Sequence, residues 1–409
     1  MIFAGSGLAV ASSPPDAALE ASLAALAAAD RDHVDLALVF VSADAGTPRA
    51  IEASARPSHG LTSSFDVHAL LHAVRRVTGA RVVVGASGTG VLTEAHEVEG
   101  QTAVAVLAVH DPRLVTTPAL IRDQGRPDIT EELAAALGPT LADGGCLLAL
   151  PDATGLDPRA LLRALDDALG PAPVMGGVAA GLPSFGLYNT DEVQGALVAL
   201  GLSGAGAPIV GVAQGCEPIG EPYVVTRAEG HVVHEIGSRR AMDVLRDAVR
   251  SVPDAEARVA RAGVFAGLAI DPAKSPLGRG DFLVRNLLGA DQASGALAIA
   301  ESVRVGQTLQ FQIRDAAASR ADLAATLDDV RRRLGPRRPA FGCYFDCAGR
   351  GRGLFGVPDH DVTLIRERLG PFPLAGFFGN GELAPVGGRN FFHTYTGVVV
   401  VVPEPDATA

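Results

Sequence analysis

The sequence has 409 residues, 48% of them hydrophobic and 20% charged, a composition typical of a folded protein of two or three domains and not of a disordered chain. Its formal net charge of −12 argues against a general nucleic-acid-binding function, which requires a basic surface. The densest basic run consists of Arg331, Arg332, Arg333, Arg337 and Arg338. These arginines are expected to form a solvated helix end, where cations oppose the helix dipole, or to meet an anionic partner.

The four cysteines, Cys146, Cys216, Cys343 and Cys347, have no spacing typical of a disulfide framework, which favours a reducing compartment. The N-terminal residues lack the cationic segment of a secretory signal. The least charged window, residues 197–215, contains glycines and a proline that predict two buried strands instead of a membrane span. We therefore expect a cytoplasmic protein without membrane insertion.

Apolar runs of strand length alternate with segments of helical periodicity along the chain. In chain order, the patterns predict a helix at 16–30, a strand at 35–42, a helix at 65–77, strands at 81–85 and 101–110, and helical structure over 112–170 interrupted by an apolar run at 146–151. A hairpin at 223–236, short strands at 263–270, 281–287, 295–300 and 307–315, and a helix at 319–334 follow. This order predicts an α/β or α+β fold with mixed sheets covered by helices, because several neighbouring strands are joined by short turns.

An internal repeat is the most informative feature of the sequence. Residues 78–92 align without a gap to residues 369–383, and the alignment matches four glycines and pairs Leu92 with Leu383. Upstream, residues 41–46 correspond to residues 344–349. We infer two related halves from an internal duplication, with domains at 1–213 and 214–402 and a disordered tail at 403–409. The Gly-rich loops at the strand ends are the expected place for a ligand.

The stretches CAGRG at 347–351, GFFGNGE at 376–382 with Pro385, and HTYT at 393–396 resemble the FIST proteins, which pair a FIST N with a FIST C domain. Weaker similarity at 84–92, 218–236 and 281–289 extends the resemblance over nearly the whole chain. The resemblance implies a sensory module that binds a small ligand, often suggested to be an amino acid, and some relatives bind haem. No segment is left over for an output domain, so a separate signalling protein is the expected partner.

Arg350, between Gly349 and Gly351, is the main candidate for ligand binding. Glycines allow successive backbone N–H groups to converge on an anion, and a guanidinium binds a carboxylate through two hydrogen bonds, although the same stretch could form an exposed turn. The resemblance favours the anion grip, and Glu382 is then expected to hold the ammonium group of an amino acid or related carboxylate. The other expected binding residues are Cys347, Gly379, Asn380 and Gly381, with Ser87, Gly88, Thr89 and His393 as secondary candidates.

Cysteine and histidine chemistry provides alternative hypotheses. Cys343 and Cys347 lie on one face of a predicted strand, where burial is expected, and a metal site would need further ligands. Cys347 could otherwise act as a thiol nucleophile with His360 or His393 as its base. His393, flanked by aromatic residues, could also bind haem.

His68 and His72 have a metal-compatible i, i+4 spacing, but no third ligand follows in a recognisable motif, so positions on a helix face are expected. Lys274 is the only lysine, and no P-loop is present, which argues against phosphoryl transfer. We therefore expect a cytoplasmic sensory module that binds a small molecule, with no catalytic residue, no metal and no nucleic-acid partner. The alternatives are a haem-binding sensor and a thiol-dependent enzyme that uses Cys347.

Overall fold

The computed structural model describes residues 1–42, 66–123, 126, 128–142, 144–181, 183–204, 206–253, 263–271 and 273–405. The chain forms two compact units that are not consecutive in sequence. The first unit contains Met1–Gly211, Leu327–Phe392 and Gly397–Ala409, and the second contains Val212–Thr326 and His393–Thr396. The predicted tail begins at Pro403, which ends a strand, and residues 406–409 lie outside the described residues.

The described helices are numbered in chain order. They are α1 (Pro14–Ala29), α2 (Val67–Thr78), α3 (Ile129–Ala142), α4 (Pro158–Leu169), α5 (Ala241–Arg250), α6 (Ala316–Leu334), α7 (Gly351–Phe355) and α8 (His360–Leu369). Local sequence explains where α1 begins, because Ser13 accepts a hydrogen bond from the backbone N–H of Asp16 and prolines occupy the first turn. None of these described helices is both long and apolar enough to cross a lipid bilayer.

The strands are numbered in the same way. In the first half of the chain they are β1 (Phe3–Val10), β2 (Leu36–Ser42), β3 (Val82–Gly88), β4 (Gly90–Thr93), β5 (Glu97–Glu99), β6 (Ala103–His110), β7 (Val115–Arg122), β8 (Cys146–Pro151), β9 (Val174–Gly177), β10 (Gly186–Tyr188), β11 (Asp191–Val193) and β12 (Ala196–Ser203). The prediction of helical structure from residue 112 was wrong at β7, which pairs along its length with β12.

The second half of the chain supplies the remaining strands. They are β13 (Ile209–Ala213), β14 (Glu217–Glu229), β15 (Val232–Ile236), β16 (Arg239–Arg240), β17 (Val264–Ala269), β18 (Phe282–Ala290), β19 (Leu297–Ile299), β20 (Thr308–Ile313), β21 (Pro339–Cys347), β22 (Leu374–Gly379), β23 (Glu382–Val386), β24 (Arg389–His393) and β25 (Gly397–Pro403). The predicted α/β class with mixed sheets is confirmed.

The first unit contains three six-stranded sheets with the same arrangement of strands. Their orders are β1-β6-β2-β3-β10-β11, β7-β12-β8-β9-β23-β24 and β13-β25-β21-β22-β4-β5. In each sheet the third and fourth strands are parallel, and the remaining pairings whose direction is recorded are antiparallel. The internal repeat is therefore present in a third copy that the sequence comparison did not reveal.

The three copies exchange hairpins in a cycle. The first copy contributes β4 and β5 to the third sheet, the second contributes β10 and β11 to the first, and the third contributes β23 and β24 to the second. Because each hairpin completes a sheet of another copy, no copy has its full sheet without a neighbour. The exchange brings side chains that are far apart in sequence to the same strand ends.

Each copy carries a glycine at the same register position of its second parallel strand. A Cβ atom on Gly85, Gly176 or Gly376 would lie 1.7, 1.9 or 1.7 Å from a carbonyl oxygen of the preceding strand. Leu92 of the exchanged hairpin lies directly opposite Gly376 in the register. The glycine and leucine of the sequence repeat therefore mark a place where two strands approach too closely for a side chain.

The second unit is built on a seven-stranded antiparallel sheet in the order β14-β20-β17-β18-β19-β15-β16, and an additional pairing of β14 with β15 closes it into a small barrel. Its core contains Val225, Val233, Ile236 and Phe311, with α5 contributing Met242. The predicted hairpin is confirmed as β14 and β15.

Candidate functional site

A buried cluster of charged side chains lies at the end of β21 in the first unit. β21 and β22 run parallel, and ligand sites in such sheets form where the carboxyl ends of the strands meet. β21 carries Asp346 with 0% of its surface exposed, although its neighbours in the strand are apolar. After β21 the chain turns through residues 348–350 into the short helix α7, which begins at Gly351 with a φ of 59°.

Arg350 is the central residue of this cluster and is 1% exposed. Its Nε lies 2.8 Å from Oδ1 of Asp346 and donates to Oδ2 of Asp361 at 2.9 Å, while its Nη2 donates to the same Asp361 oxygen at 2.7 Å. Two carboxylates therefore hold the guanidinium in one orientation. Hydrogen bonds between charged partners of this kind are shorter and stronger than neutral ones.

Asp361, at the start of α8, connects the strand to the helix. Its Oδ2 also accepts the hydroxyl of Tyr344 at 2.9 Å, and its Oδ1 lies 2.7 Å from Nδ1 of His360, whose ring stacks on Phe355 at 3.5 Å. Burial raises the pKa of Asp361, but the opposing effects of Arg350 and His360 are larger and bring it to about 2. Asp361 is therefore the ionised partner of Arg350 at neutral pH.

The hairpin of β4 and β5, exchanged from the first copy, supplies the acidic side of the cluster. Oε1 of Glu97 accepts the backbone N–H groups of Asp361 and Val362 at 2.9 and 3.0 Å, which places a carboxyl group at the N-terminus of α8. Oε1 of Glu99 accepts the backbone N–H of Arg352 in α7 at 2.8 Å. The hairpin thus fixes the first turns of both helices.

Burial changes the protonation of the cluster. It raises the pKa of Glu97 to about 8, with a further contribution from the negative charge of Asp361. Burial also raises the pKa of Asp346 well above its usual value, against the lowering effect of Arg350, and raises the pKa of Tyr344. At neutral pH the cluster therefore contains the ion pair of Arg350 with Asp361, and the Glu97 carboxyl group retains its proton.

Three buried polar atoms in the cluster have no hydrogen-bond partner among the described residues. They are Oε2 of Glu97, Oδ2 of Asp346 and Nη1 of Arg350. Native proteins pair nearly all buried polar atoms with protein groups or ordered water. The cluster can therefore accept additional hydrogen-bonding atoms without losing the bonds already described.

The structure brings several of the expected binding residues to this place. Cys347, Gly349 and Gly351 lie in the same turn as Arg350, and Sγ of Cys347 accepts the N–H of Gly349 at 3.5 Å. Glu382 is fully buried at the start of β23, and its negative charge contributes to the raised pKa of Asp346. The role of these residues in binding stays a prediction.

The Gly-rich loops of the first unit are linked by backbone hydrogen bonds. Among the expected residues, Thr89 donates to Phe378 at 3.0 Å, and Asn380 donates to Val178 at 3.0 Å. The carbonyl of Gly381 accepts from Val178 at 2.8 Å, and the backbone oxygen of Gly379 accepts from Ala348. Ser87 and Gly88 end β3, and the Ser87 hydroxyl donates to Ala180. These amides already have partners within the protein.

The remaining candidates are located elsewhere or are committed to other contacts. His393 is 2% exposed and belongs to the second unit. His68 and His72 are exposed on α2, with their Nε2 atoms 2.9 Å apart. Burial raises the pKa of the Cys343 thiol to about 12, which disfavours a thiolate there. In the described part of the chain, no group of three or more His, Cys, Asp and Glu side chains could hold a metal ion.

Sequence reasoning missed the acidic partners of Arg350. Asp346 could have been recognised, because an acid within the apolar strand sequence FGCYFDC indicates a buried charge that needs a partner. Asp361 lies 11 residues after Arg350 and had no distinguishing motif. Glu97 is 264 residues before Asp361, so only the hairpin exchange shows that the two are in contact.

Comparison with known proteins finds two matching domain families. The FIST N domain matches residues 35–239, and the FIST C domain matches residues 241–385. An uncharacterized protein of Mycobacterium tuberculosis strain H37Rv is 38% identical over 332 residues, which cover 80% of this chain and 85% of that protein. An uncharacterized protein of Mycobacterium bovis is 41% identical over 254 residues, which cover 61% of this chain and 65% of that protein.

Two solved structures of cyanuric acid hydrolases, one from A. caulinodans, are also similar to this chain. They are 13% and 11% identical in sequence, cover 98% and 99% of this chain and 100% of their own, and have TM-scores of 0.33 and 0.36. Scores of this size do not establish a shared arrangement of the whole chain, and no functional conclusion follows from them.

Proposed function

Because this chain belongs to the FIST family, we propose that it is a sensory protein that binds a small amine-bearing ligand in the Arg350 cluster and signals to a separate protein partner. FIST domains are known as small-ligand sensory domains and are generally not enzymes. We place the protein in the cytoplasm, since none of its four cysteines, all in the described residues, forms a disulfide.

The observation that carries the proposal is the set of three unsatisfied atoms on Glu97, Asp346 and Arg350. A buried donor or acceptor without a partner costs about 1–3 kcal/mol, and a ligand that completes these hydrogen bonds recovers this free energy. The three side chains come from β5, β21 and the turn after β21, so a ligand bound to all of them would join the exchanged hairpin to the third copy.

The hydrogen-bonding properties of these three atoms determine which class of ligand fits the site. Two are carboxyl oxygens and one is a guanidinium nitrogen. When Glu97 gives up its proton to a bound amine, both carboxyl oxygens accept, so a complementary ligand brings more hydrogen-bond donors than acceptors. A protonated amine would donate to Glu97 and Asp346, while a carboxylate or carbonyl oxygen of the same molecule would accept from Nη1 of Arg350. Glu382 increases the negative field near Asp346 and further favours the amine. An amino acid or related molecule has this combination of groups.

Arg350 has a different role in this proposal from the one its sequence suggests. Its Nε and Nη2 are already bonded to Asp346 and Asp361, so that edge of the guanidinium is occupied and a ligand meets the N–H groups of Nη1. The ion pair with Asp361 fixes the direction of these N–H groups. Arg350 therefore orients the ligand, and the carboxyl groups supply most of the recognition.

Helix α7 is the proposed cover of the site. Gly351 and Gly356, both with positive φ, bracket α7, and the ring centroid of Phe355 lies 5.4 Å from Cζ of Arg350. Since Arg350 and Asp346 are buried, a ligand reaches them only when a neighbouring segment moves. A five-residue helix between two flexible glycines is the segment that we expect to move, and its displacement would signal occupancy to the partner.

Ligand screening by thermal shift and calorimetry tests this proposal. Amino acids and small amines are titrated into the wild type and into Glu97→Gln and Asp346→Asn, which keep side-chain size but replace an acceptor oxygen with an NH2 group. Glu99→Gln is the matched control, because Glu99 lies in the same hairpin and contacts only the backbone of Arg352 among the hydrogen bonds described. We expect the wild type and Glu99→Gln to respond, and the other two variants to bind at least about tenfold more weakly. Equal responses in all four proteins would contradict the proposed site.

A further inference from the structure

A cavity of the first unit, which we call the arginine groove, lies away from the Arg350 cluster and has a volume of about 650 Å³. It is lined by the start of β1, the ends of α1 and α8, the segment between α6 and β21, and a residue that follows β25. The lining residues are Ile2, Phe3, Ala4, Ala28, Ala29, Arg331, Pro336, Arg337, Arg338, Pro339, Ala340, Leu369, Gly370, Pro371, Phe372, Pro373 and Glu404. Its volume is within the range of about 300–1,000 Å³ that is usual for small-molecule sites.

The charges that line the groove are mainly positive. Arg331, Arg337 and Arg338 face a single acid, Glu404, in a protein whose net charge is −12. None of the three arginines forms an ion pair with any described residue. By contrast, Arg332, the next residue after Arg331 on α6, pairs with Asp329. The adjacent arginine outside the groove is thus neutralised, and the arginines that line it are not.

Helix capping explains only one of the three arginines. α6 ends at Leu334, and Arg337 donates from Nε to the Leu334 carbonyl at 3.3 Å, as expected for a cation at a helix C-terminus. The side chains of Arg331 and Arg338 donate to no carbonyl of the described residues. Two guanidinium groups therefore remain for a ligand.

The rest of the groove is apolar. Phe3 and Phe372 contribute aromatic rings, and Pro339, Pro371 and Pro373 contribute ring edges that lose little conformational entropy when a ligand binds. One face of Phe3 is already covered, because Cζ of Arg31 lies 3.3 Å from its ring centroid. A complementary ligand has an anionic group for the arginines and an apolar body for these rings.

We propose that the arginine groove binds a small organic phosphate, with the phosphate between Arg331 and Arg338 and the apolar part of the molecule against Phe372 and the prolines. Guanidinium groups match phosphate oxygens in geometry and form paired hydrogen bonds with them. Two uncommitted guanidinium groups also match the charge of nearly −2 that a phosphate monoester carries at neutral pH.

The groove and the Arg350 cluster lie at opposite ends of the same strand. Pro339, in the groove, begins β21, and Asp346, in the cluster, is close to the end of β21. Seven residues of extended strand span about 23 Å, so both sites can be occupied at once. The groove is therefore a second ligand site, and its occupancy does not depend on the amine site proposed above.

Calorimetric titration tests the proposal with adenosine 5′-monophosphate and inorganic phosphate as probes, at low salt so that charge interactions are not screened. The double variant Arg331→Ala/Arg338→Ala removes the uncommitted guanidinium groups, and Arg332→Ala is the matched control on the same helix. All these side chains are on the surface, so circular dichroism is expected to show folded proteins.

We expect the wild type and Arg332→Ala to bind one adenosine 5′-monophosphate per chain, and inorganic phosphate about tenfold more weakly because it has no apolar body. The double variant is expected to bind the nucleotide at least about tenfold more weakly than the control. The proposal is overturned if the wild type binds neither probe, if both variants lose affinity equally, or if inorganic phosphate binds as tightly as the nucleotide.

Discussion

The ends of β8 and β21 occupy equivalent places in two copies of the same fold, but they satisfy their buried acids differently. At the end of β8, Asp152 is fully buried and accepts the Ser184 hydroxyl at 2.5 Å and the Gly195 N–H at 2.6 Å, both neutral donors. At the end of β21, Asp346 is paired with the guanidinium of Arg350, which also binds Asp361. These two contacts of the β8 end are short and have neutral donors, whereas the β21 end brings together charged side chains from three segments.

The copies share a close contact between their parallel strands, but the side chains at the ends of β8 and β21 differ. The close approach of the two parallel strands is the same in each copy, because a glycine occupies the same register position. The described residues that follow β8 and β21 differ, and after β21 an arginine, Arg350, has carboxyl groups around it. The repeated strand contact therefore stabilises each copy, whereas the side chains at the strand ends can differ in charge and in hydrogen bonding.

The largest expected effect is a loss of stability when the shared backbone contact is broken. Gly376→Ala places a Cβ atom 1.7 Å from the Tyr344 carbonyl oxygen, and Gly176→Ala places one 1.9 Å from that of Ala149. Each substitution is expected to lower the free energy of unfolding by about 5 kcal/mol or more, because the strands must separate. Urea denaturation, or failure to obtain folded protein, measures this effect.

Gly353→Ala is the control for these glycine variants. A Cβ atom on Gly353, in α7, would have nothing within 4 Å, and the residue has no positive φ, so stability is expected to change by less than about 1 kcal/mol. If Gly176→Ala were tolerated while Gly376→Ala was not, the second copy would not share the strand contact on which the comparison rests.

The next prediction compares the loss of stability caused by a substitution at the end of β21 with that at the end of β8. Arg350→Met removes the guanidinium and leaves Asp346 and Asp361 buried without it, which is expected to cost about 3–5 kcal/mol of unfolding free energy. Asp152→Asn keeps the size of the side chain and changes the acceptor of the Ser184 and Gly195 hydrogen bonds, which is expected to cost about 1–2 kcal/mol. Both values come from urea denaturation at neutral pH. Equal losses would mean that the charged cluster stabilises the third copy no more than the contacts of Asp152 stabilise the second.

The sequence predicted the parts of this fold that depend on local contacts. Gly85 and Gly376 were matched because a strand contact without room for a side chain leaves a glycine in each copy. Gly176 was not matched, because the chain between β9 and β10 is longer than the loop after β3 and breaks an ungapped alignment. β7 was missed because its mixture of threonine, proline and apolar residues has no strict alternation.

The candidate site was predictable only in part, because most of its contacts join residues that are far apart in the sequence. Arg350 was identified because its glycine neighbours make a local motif. Its partners are set by the topology, since the exchanged hairpin brings Glu97 to α8 from 264 residues away. A sequence pattern cannot show which hairpin completes which sheet. Burial also changed the expected chemistry, because two acids bind Nε and Nη2 of Arg350 and leave Nη1 for a ligand.

The last prediction concerns the pH dependence of the β21 end. The pKa of Glu97 is about 8 in the folded protein, compared with 4.5 for the ordinary side chain. Between these values the unfolded chain releases the proton and the folded protein retains it, so stability falls as pH rises through this window and levels off above it. Glu97→Gln has no proton to lose. From about pH 5 to about pH 7.5, the wild type should therefore lose about 2–3 kcal/mol more unfolding free energy than the variant.

Denaturation of both proteins at several pH values measures the difference, and parallel curves would show that Glu97 is ionised in the folded protein. The ligand would then meet a carboxylate there in place of a protonated acid, and binding of an amine would release no proton from Glu97.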